Sequence, residues 1–192
     1  MSVIHAAAID APRLQVVADE ILVERAIDDD TAAFAALVHR HAPLMRAHAR
    51  RMLGDSSDAD DVVQDAFVIA WQQLPNLRDR AMVKSWLMKI TSRCALSHLK
   101  RRPPTLPLPV VEPALPDTMQ PENLAVRTAH LSALSVALDK LPEDQRNCWL
   151  LREVAELSYA EVAKEMNLTP ASVRGKLARA RVSLTIQLEG WR

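Results

Sequence analysis

Seven prolines lie close together near the middle of this 192-residue chain, and no helix can run through them. Proline lacks the backbone N–H that a helix needs, and its ring clashes with the preceding turn. The stretch between Arg102 and Leu124 also contains no Lys or Arg, which favours an extended linker with a reach of roughly 70 Å. The prolines are Pro103, Pro104, Pro107, Pro109, Pro113, Pro116 and Pro121. We therefore predict two domains, 25–102 and 124–192, joined by a linker at 103–123 and preceded by an unassigned extension at 1–24.

The composition indicates that both domains are all-α. The chain has only three Gly, too few for the tight turns and bulges of an all-β protein of this size, and it is rich in residues that favour helix. Charged residues interrupt every apolar stretch before the roughly 18 residues of a membrane span. The first ten residues lack the basic and apolar regions of a secretory signal. We expect a cytoplasmic protein with no membrane insertion.

Apolar periodicity predicts four helices in the first domain. The first ends near Ile27, the second covers about 31–52, the third runs from about Asp58 to a stop at Pro75, and the fourth covers about 80–101. The side chains predicted to face inward are Phe34, Leu37, Val38, Leu44, Met45, Val63, Phe67, Ala70, Trp71, Leu74, Val83, Leu87, Ile90 and Cys94.

The second domain is predicted to contain a helix-turn-helix. Helices are expected at about 124–140 and 143–155, the latter entered through Leu141-Pro142. The sequence from Ser158 to Glu161 has the form of a capping box, so a third helix begins there and runs to about Met166. After a turn at 167–168, Thr169-Pro170 supplies the N-cap and first residue of the last helix. Helix, short turn and helix is the arrangement of a DNA-binding motif.

The last helix carries a basic face opposite its apolar stripe. Val173, Leu177, Ala180 and Leu184 repeat at helical spacing and define the buried side. The remaining face presents a hydroxyl and several cations at Ser172, Arg174, Gly175, Lys176, Arg179 and Arg181, with no acidic residue among them. Such a helix end can enter the major groove, where Arg or Lys reads guanine and the other groups hold phosphates. Gly175 either allows close approach of DNA or is merely tolerated.

Charges in the first domain are segregated along the chain, although the whole sequence has equal numbers of acidic and basic residues. No Lys or Arg occurs from Met52 to Leu77, a stretch that contains Asp55, Asp58, Asp60, Asp61 and Asp65. Between Arg78 and Arg102 the only acid is Asp79. The basic residues there are Arg78, Arg80, Lys84, Lys89, Arg93, Lys100, Arg101 and Arg102. The basic part is expected to touch nucleic acid, and the acidic helix, which would repel DNA, to meet a basic protein.

Two features of this basic part fit single-stranded or melted nucleic acid. A second stripe on the fourth helix interleaves one aromatic with cations, so the ring could stack on a base while the cations follow the backbone, or Trp86 could be a half-buried core residue. The stripe is Trp86, Lys89, Arg93, Ser97 and Lys100. The loop before it, from Leu74 to Arg80, offers amide and guanidinium groups to the edge of an unstacked base, or is simply a polar connection.

The sequence offers no catalytic or metal site. It has no Gly-rich phosphate loop, nucleophile elbow or cluster with metal-ligand spacing, so we predict no enzyme activity and no cofactor. His39, His41 and His48 share a helix, where surface or half-buried imidazoles are the expected reading. Cys94 and Cys148 are isolated and are expected to act as small buried residues.

These stretches together resemble the extracytoplasmic-function (ECF) sigma factors of the bacterial sigma-70 family, over about 28–188. The resemblance is carried by Asp58 to Phe67, Ser85 to Ile90, Leu141 to Arg146, Tyr159 to Ala163 and Ser172 to Arg181, in this order around the proline-rich linker. Members of the family often carry Asn, Asp and Arg where Arg93, Ser97 and Lys100 fall here, so details of −10 recognition are expected to transfer less directly than those of −35 recognition.

The resemblance implies partners and roles for each domain. Domain one would be sigma region 2, docking on the clamp helices of the largest subunit of core RNA polymerase and capturing the −10 promoter element. Domain two would be region 4, reading the −35 element on the polymerase flap, and an anti-sigma protein is an expected partner. Polymerase contact would fall to Asp58, Asp60, Asp61, Val62, Gln64 and Asp65. The −10 contacts would be Asn76, Arg78, Arg80, Lys84, Trp86, Lys89, Arg93 and Lys100. The −35 contacts would be Thr169, Ala171, Ser172, Arg174, Lys176 and Arg179.

Two other classes of function also accommodate a helix-turn-helix. An ordinary transcriptional regulator would bind its operator without polymerase, and its first domain would bind a ligand or dimerise. A pure adaptor would need neither DNA surface. Dependence on core polymerase separates the first from a sigma factor, and loss of function on neutralising Arg174, Lys176 and Arg179 argues against the second.

Overall fold

The computed structural model describes residues 14, 16–54, 57–101 and 132–189. Within these residues the regular elements are all helical and no strand occurs, which confirms the predicted all-α class. The chain forms two compact units, one from the helices before the gap at 102–131 and one from the helices after it. The predicted linker at 103–123, residues 124–131 of the predicted fifth helix, and Asp55 lie outside the described residues.

The described residues of the first unit form four α-helices close to the predicted ones. They are α1 (Asp19–Ile27), α2 (Thr31–Leu53), α3 (Ala59–Gln73) and α4 (Val83–Arg101), with 3₁₀ turns at Leu74–Asn76 and Arg80–Met82 between the last two. Local chemistry sets the boundaries. The Asp30 side chain accepts from Ala32 N at 3.0 Å and Ala33 N at 3.1 Å to start α2, and Gly54 ends it at φ 67°, a conformation that favours glycine.

The helix α1 ends at Ile27 as predicted, but most of it lies in the stretch assigned to the extension, and α2 holds it in the bundle. Asp19 accepts hydrogen bonds from Arg40 and from His41 Nε2, the latter at 3.0 Å. Arg40 also donates to the carbonyl oxygens of Leu14, at 3.2 Å, and Val17, at 2.8 Å. Leu22 of α1 is completely buried. The bundle therefore begins before residue 25, through contacts that connect residues too distant in sequence for local patterns to reveal.

The predicted core is largely confirmed, with corrections at two exposed and three half-buried positions. Leu44 and Trp71 are 39% and 37% exposed, and Cys94 is only half-buried. Phe34 and Val38 are half-buried, while the other residues predicted to face inward in the first unit are buried. The stripe of α2 is centred on His41, Met45, His48 and Met52, so Leu44 lies at its edge. Trp71 lies edge-on against Phe34, with ring centroids 4.8 Å apart.

The buried imidazole of His48 is fixed by a chain of hydrogen bonds that sequence reasoning did not anticipate. Its Nε2 lies 2.7 Å from Ser92 Oγ, and that hydroxyl donates to the carbonyl oxygen of Met88 at 2.8 Å. Because the single hydroxyl proton is used on Met88, the Nε2–H must donate to Ser92. Among the described residues Nδ1 has no hydrogen-bond partner. Burial, together with the charge of Arg51, lowers the pKa of His48 to about 4.

Stability should therefore fall as the solution is acidified through the titration range of His48. Below the unfolded-state pKa of 6.5 the unfolded chain takes up a proton that the folded chain rejects until about pH 4, so acid favours unfolding. The free energy of unfolding should decrease by up to about 3 kcal/mol between these pH values. Denaturant titrations across this range should show a shallower slope for His48→Gln. Equal slopes for wild type and variant would contradict the assignment.

The second unit confirms the predicted helix-turn-helix. Its described elements are α5 (132–139), α6 (Glu143–Trp149) with a π-helical continuation (Leu150–Val154), α7 (Tyr159–Met166) and α8 (Pro170–Glu189). In the capping box, Ser158 Oγ accepts from Glu161 N at 3.2 Å, and the Glu161 carboxylate accepts from Ser158 N at 2.8 Å. Thr169 Oγ1 caps α8 by accepting from Ser172 N at 3.1 Å. The predicted helix at 143–155 is thus α-helical only in its first half.

Candidate nucleic-acid interface

The predicted basic face of α8 lies on the surface of the second unit. Val173, Leu177, Ala180 and Leu184 are all buried, as the periodicity predicted, and this orients the rest of the helix. The predicted −35 residues lie at the N-cap or in the first half of α8. Thr169, Ala171, Arg174 and Arg179 are exposed, and Ser172 and Lys176 are half-buried. One helix end therefore presents a hydroxyl and three cations together, which is the chemistry that reads base edges and holds phosphates.

Two cations of α8 are paired with carboxylates that are far away in sequence. Lys176 Nζ lies 2.8 Å from Asp144 Oδ2, and Arg181 Nη2 lies 2.8 Å from Glu153 Oε1. The hydrogen bond that Arg181 donates to the Glu153 carboxylate raises the pKa of Arg181. The sequence indicated a basic run without acids because the partners lie 32 and 28 residues earlier. The packing of α6 against α8 brings them together.

Gly175 lies within the basic face, where a methyl group would fit. A Cβ added there would meet nothing closer than Arg179 Nη1, at 3.7 Å, which is ordinary van der Waals contact. Since glycine is about 1 kcal/mol worse than alanine inside a helix, Gly175→Ala should raise the free energy of unfolding by up to that amount. Urea unfolding of the full chain measures this, and a loss of stability would contradict it. The duplex affinity of the same variant then separates close approach of DNA from a tolerated glycine.

The predicted stripe of α4 is accessible along its length. Val83, Leu87 and Ile90 are buried, and the second stripe lies beside them, about 90° away around the helix axis. Trp86 and Lys89 are half-buried, and Arg93, Ser97 and Lys100 are exposed. Trp86 is therefore neither fully buried nor fully exposed, a position that fits both stacking on a base and a half-buried place at the edge of the core.

The loop before α4 is built from the two 3₁₀ turns. Asn76, Arg78 and Lys84 are exposed, and Arg80 is half-buried with its Nε 3.7 Å from Glu24 Oε1. Asp79 Oδ1 accepts from Ala81 N at 3.1 Å and fixes the entry to the second turn. All eight predicted −10 residues thus lie on the loop or on α4, and each has accessible surface.

The predicted polymerase residues on α3 divide into exposed, paired and buried ones. Asp61, Gln64 and Asp65 are exposed. Asp58 Oδ2 lies 3.0 Å from His98 Nε2, and exposed Asp60 accepts from Arg46 Nε at 2.6 Å. Val62 is only 2% exposed and packs in the core, so the structure does not place it on this surface. Val62 is an apolar residue on the inward side of this turn, and assigning the whole acidic run to one surface overlooked that.

A groove beside these acids was not predicted. It encloses about 770 Å³ between α2 and α3. Its floor includes Phe34, Val63 and Phe67, and Trp71 and Val68 reach its exposed side. Polar lining comes from Arg46, Asp60 and Gln64, among others. We name this surface, together with exposed Asp61 and Asp65, the α3 face. Val68 was the available signal, since it is a large apolar residue outside the predicted core stripe.

Two kinds of feature are absent from the described parts of the chain. Those residues contain no group of three or more His, Cys, Asp or Glu side chains that could hold a metal ion. They also contain no helix long and apolar enough to cross a membrane. Burial raises the pKa of the Cys148 thiol to about 11, which keeps it in its unreactive protonated form.

Comparison with known families matches both units. The model for Sigma-70 region 2 matches residues 37–103, and the model for Sigma-70, region 4 matches residues 131–184. The first range contains α3, the loop and α4, and the second contains the helix-turn-helix.

Curated relatives match nearly the whole chain. The ECF RNA polymerase sigma-E factor of Escherichia coli (strain K12) is 33% identical over 176 residues, covering 86% of this chain and 92% of that protein. The RNA polymerase sigma-H factor of Pseudomonas aeruginosa is 32% identical over 181 residues, covering 89% of this chain and 94% of that protein.

Solved structures resemble the chain as well. CnrH in complex with the cytosolic domain of CnrY is 28% identical with a TM-score of 0.51, over 91% of this chain and 99% of that one. The sigma factor RpoE in complex with the anti-sigma factor NepR from Bartonella quintana has a TM-score of 0.56 at 22% identity, over 83% of this chain and 98% of that one, which is a likeness of fold.

Proposed function

Because the chain belongs to the ECF RNA polymerase sigma factors of the sigma-70 family, we propose that its three surfaces divide the work of promoter recognition. A sigma factor binds core RNA polymerase, directs it to promoters and so allows transcription to begin. The face of α8 reads the −35 element, the loop and stripe of α4 capture the −10 element, and the α3 face docks on polymerase. The chain supplies binding free energy and no covalent chemistry.

The observation that carries the proposal is the geometry of α8. Its apolar stripe is fully buried against the rest of the unit, so Ser172, Arg174 and Arg179 are held outward at the N-terminal half of the second helix of a helix-turn-helix. This is the part of the motif that enters the major groove. The cap made by Thr169 fixes where the helix begins and thus which residues reach the bases.

Opening of the −10 element depends on α4. Trp86 can stack on a base that has left the duplex, while Lys89, Arg93 and Lys100 follow the strand along one face of the helix. Asn76 and Arg78, exposed on the loop, offer donors to the edge of such a base. Capture of unstacked bases stabilises the open strand and so favours melting.

The α3 face is suited to a protein partner with basic and apolar side chains. Exposed Asp61 and Asp65 lie one turn apart, and the groove beside them offers apolar surface with a polar rim. We assign this face to the clamp helices of the largest polymerase subunit and the second unit to the flap. An anti-sigma protein is a further proposed partner, since CnrH and RpoE were solved with CnrY and NepR. Because the proposed function requires contact with promoter DNA, we expect the protein in the cytoplasm.

None of the matches reported above favours a regulator that binds its operator without polymerase. The proposal is tested by footprinting the assembled holoenzyme on promoter DNA. We expect protection of the −35 element together with permanganate-reactive thymines at the −10 element. Protection by the chain alone, with no opened region when core polymerase is added, would support the regulator instead.

Replacing Trp86 should impair opening more than initial binding. We expect Trp86→Ala to lower the open fraction by about 5-fold to 150-fold, because stacking on one base contributes about 1–3 kcal/mol. Permanganate reactivity at the −10 element measures opening, and protection of the −35 element should persist. Trp86→Phe keeps a stacking ring and should recover most of the activity. Equal opening by Trp86→Ala and wild type would contradict a stacking role.

A further inference from the structure

Two carboxylates of the second unit hold cations of the helix that reads DNA. Asp144, in the first turn of α6, pairs with Lys176, and Glu153, in the π-helical continuation, pairs with Arg181. Among the described residues no carboxylate is paired with Arg174 or Arg179 on the same helix. The cations of α8 therefore fall into two groups. Arg174 and Arg179 are exposed to solvent, and Lys176 and Arg181 form ion pairs with carboxylates of α6 and its π-helical continuation.

The pairing constrains where the Lys176 ammonium can go. The Lys176 side chain is only 18% exposed, so its stem is packed and its head is aimed by Asp144. An ammonium has three N–H donors, and Asp144 occupies one of them. The other two remain available to an acceptor on a base edge brought to this position. Reaching a phosphate elsewhere on the backbone would require Lys176 to leave Asp144.

Binding to arbitrary DNA depends on such mobile phosphate contacts. Each phosphate neutralised by Lys or Arg releases counterions. It steepens the slope of the logarithm of affinity against the logarithm of salt concentration by about 0.9. A carboxylate beside the cation repels the phosphates of any DNA equally, whatever the base sequence. It costs little at the correct site, where the base edge itself accepts the hydrogen bonds.

We infer that Asp144 is a specificity-determining residue, which holds Lys176 in a base-reading position and suppresses its use on phosphates of unrelated DNA. Glu153 does the same for Arg181 at the flank of the face. The inference rests on the proposed function of α8. Asp144 acts through Lys176 and need not touch DNA itself, which makes it a positioning residue.

The test compares Asp144→Asn with Glu143→Gln in assembled holoenzyme. Both variants lose one negative charge from the first turn of α6, so they change net charge and the helix-dipole interaction equally. Run-off transcription from a promoter selected by the wild-type holoenzyme is titrated with random-sequence duplex as competitor. For Asp144→Asn we expect half-inhibition at about 3-fold to 10-fold less competitor. Its affinity for the competitor should also fall more steeply with salt, by the slope of about one additional phosphate contact. Glu143→Gln should stay near wild type.

The outcomes separate this inference from the function on which it rests. If the wild-type holoenzyme yields no promoter-specific transcript, the proposed function of α8 fails. If the wild type does yield a specific transcript, equal responses of Asp144→Asn and Glu143→Gln to competitor overturn the inference. An equal increase in sensitivity would then be an effect of net charge. A smaller sensitivity of Asp144→Asn to competitor would overturn it as well. Circular dichroism of both variants confirms that the exposed substitutions leave the fold intact.

Discussion

Simultaneous replacement of Arg174, Lys176 and Arg179 by alanine should reduce promoter-specific transcription by about 1000-fold. A side chain that reads a base edge contributes about 1–3 kcal/mol, and a phosphate contact adds to affinity at every sequence. These three cations lie in the first half of α8, whose buried stripe leaves Arg174 and Arg179 exposed and Lys176 half-buried. Run-off transcription with saturating core polymerase measures the loss, since polymerase binding through the first unit should be retained.

Two further variants show whether the loss is one of readout. Arg179→Lys keeps the charge but loses the planar pair of donors, so it should relax preference at one base position of the −35 element. Lys140→Ala, which removes an exposed cation outside α8, should transcribe like wild type. A triple variant that retained promoter preference would remove α8 from the recognition surface and favour an adaptor.

Charge reversal on the α3 face should have the opposite pattern of effects. We expect Asp61→Lys combined with Asp65→Lys to weaken assembly with core polymerase by about 100-fold or more, because like charges facing each other across an interface cost several kcal/mol. Both side chains are exposed, so the fold should tolerate the change. Co-elution with core polymerase in gel filtration measures assembly.

The matched control is a reversal elsewhere in the same unit. Glu20 on α1 and Asp28 just after it are exposed, and Glu20→Lys combined with Asp28→Lys introduces the same two reversed charges without changing α3. This control should assemble normally, which separates a specific contact from a general effect of charge. Normal co-elution of the α3 double variant would show that polymerase binds a different surface, and the α3 assignment would then be wrong.

The helix-turn-helix could be predicted because its signals are local. The capping box spans Ser158 to Glu161, the turn and next cap follow within a few residues, and the stripe from Val173 to Leu184 repeats at helical spacing. Each signal reports on its own turn of helix and needs no knowledge of the rest of the chain. The structure therefore agrees with the sequence reading here almost residue by residue.

Contacts between distant residues could not be predicted in this way. The pairing of Asp144 with Lys176 spans 32 residues and depends on how α6 packs on α8. His48 was expected to be at the surface or half-buried, but it is buried, and Ser92, 44 residues later, supplies its hydrogen-bond partner. Trp71 was assigned to the core from the apolar periodicity of its helix, whereas its position beside Phe34 places it on the exposed side of the α3 groove.

The division of promoter recognition between the two units is tested most directly by run-off transcription on a pooled promoter library. Purified core RNA polymerase is supplied with the wild-type chain, with the α8 triple variant, with the α3 double variant, or with no added chain. We predict specific transcripts only with the wild type, with the α8 variant still bound to core polymerase and the α3 variant not. Specific transcripts without the chain, or operator binding by the chain alone with no transcripts, would contradict the account.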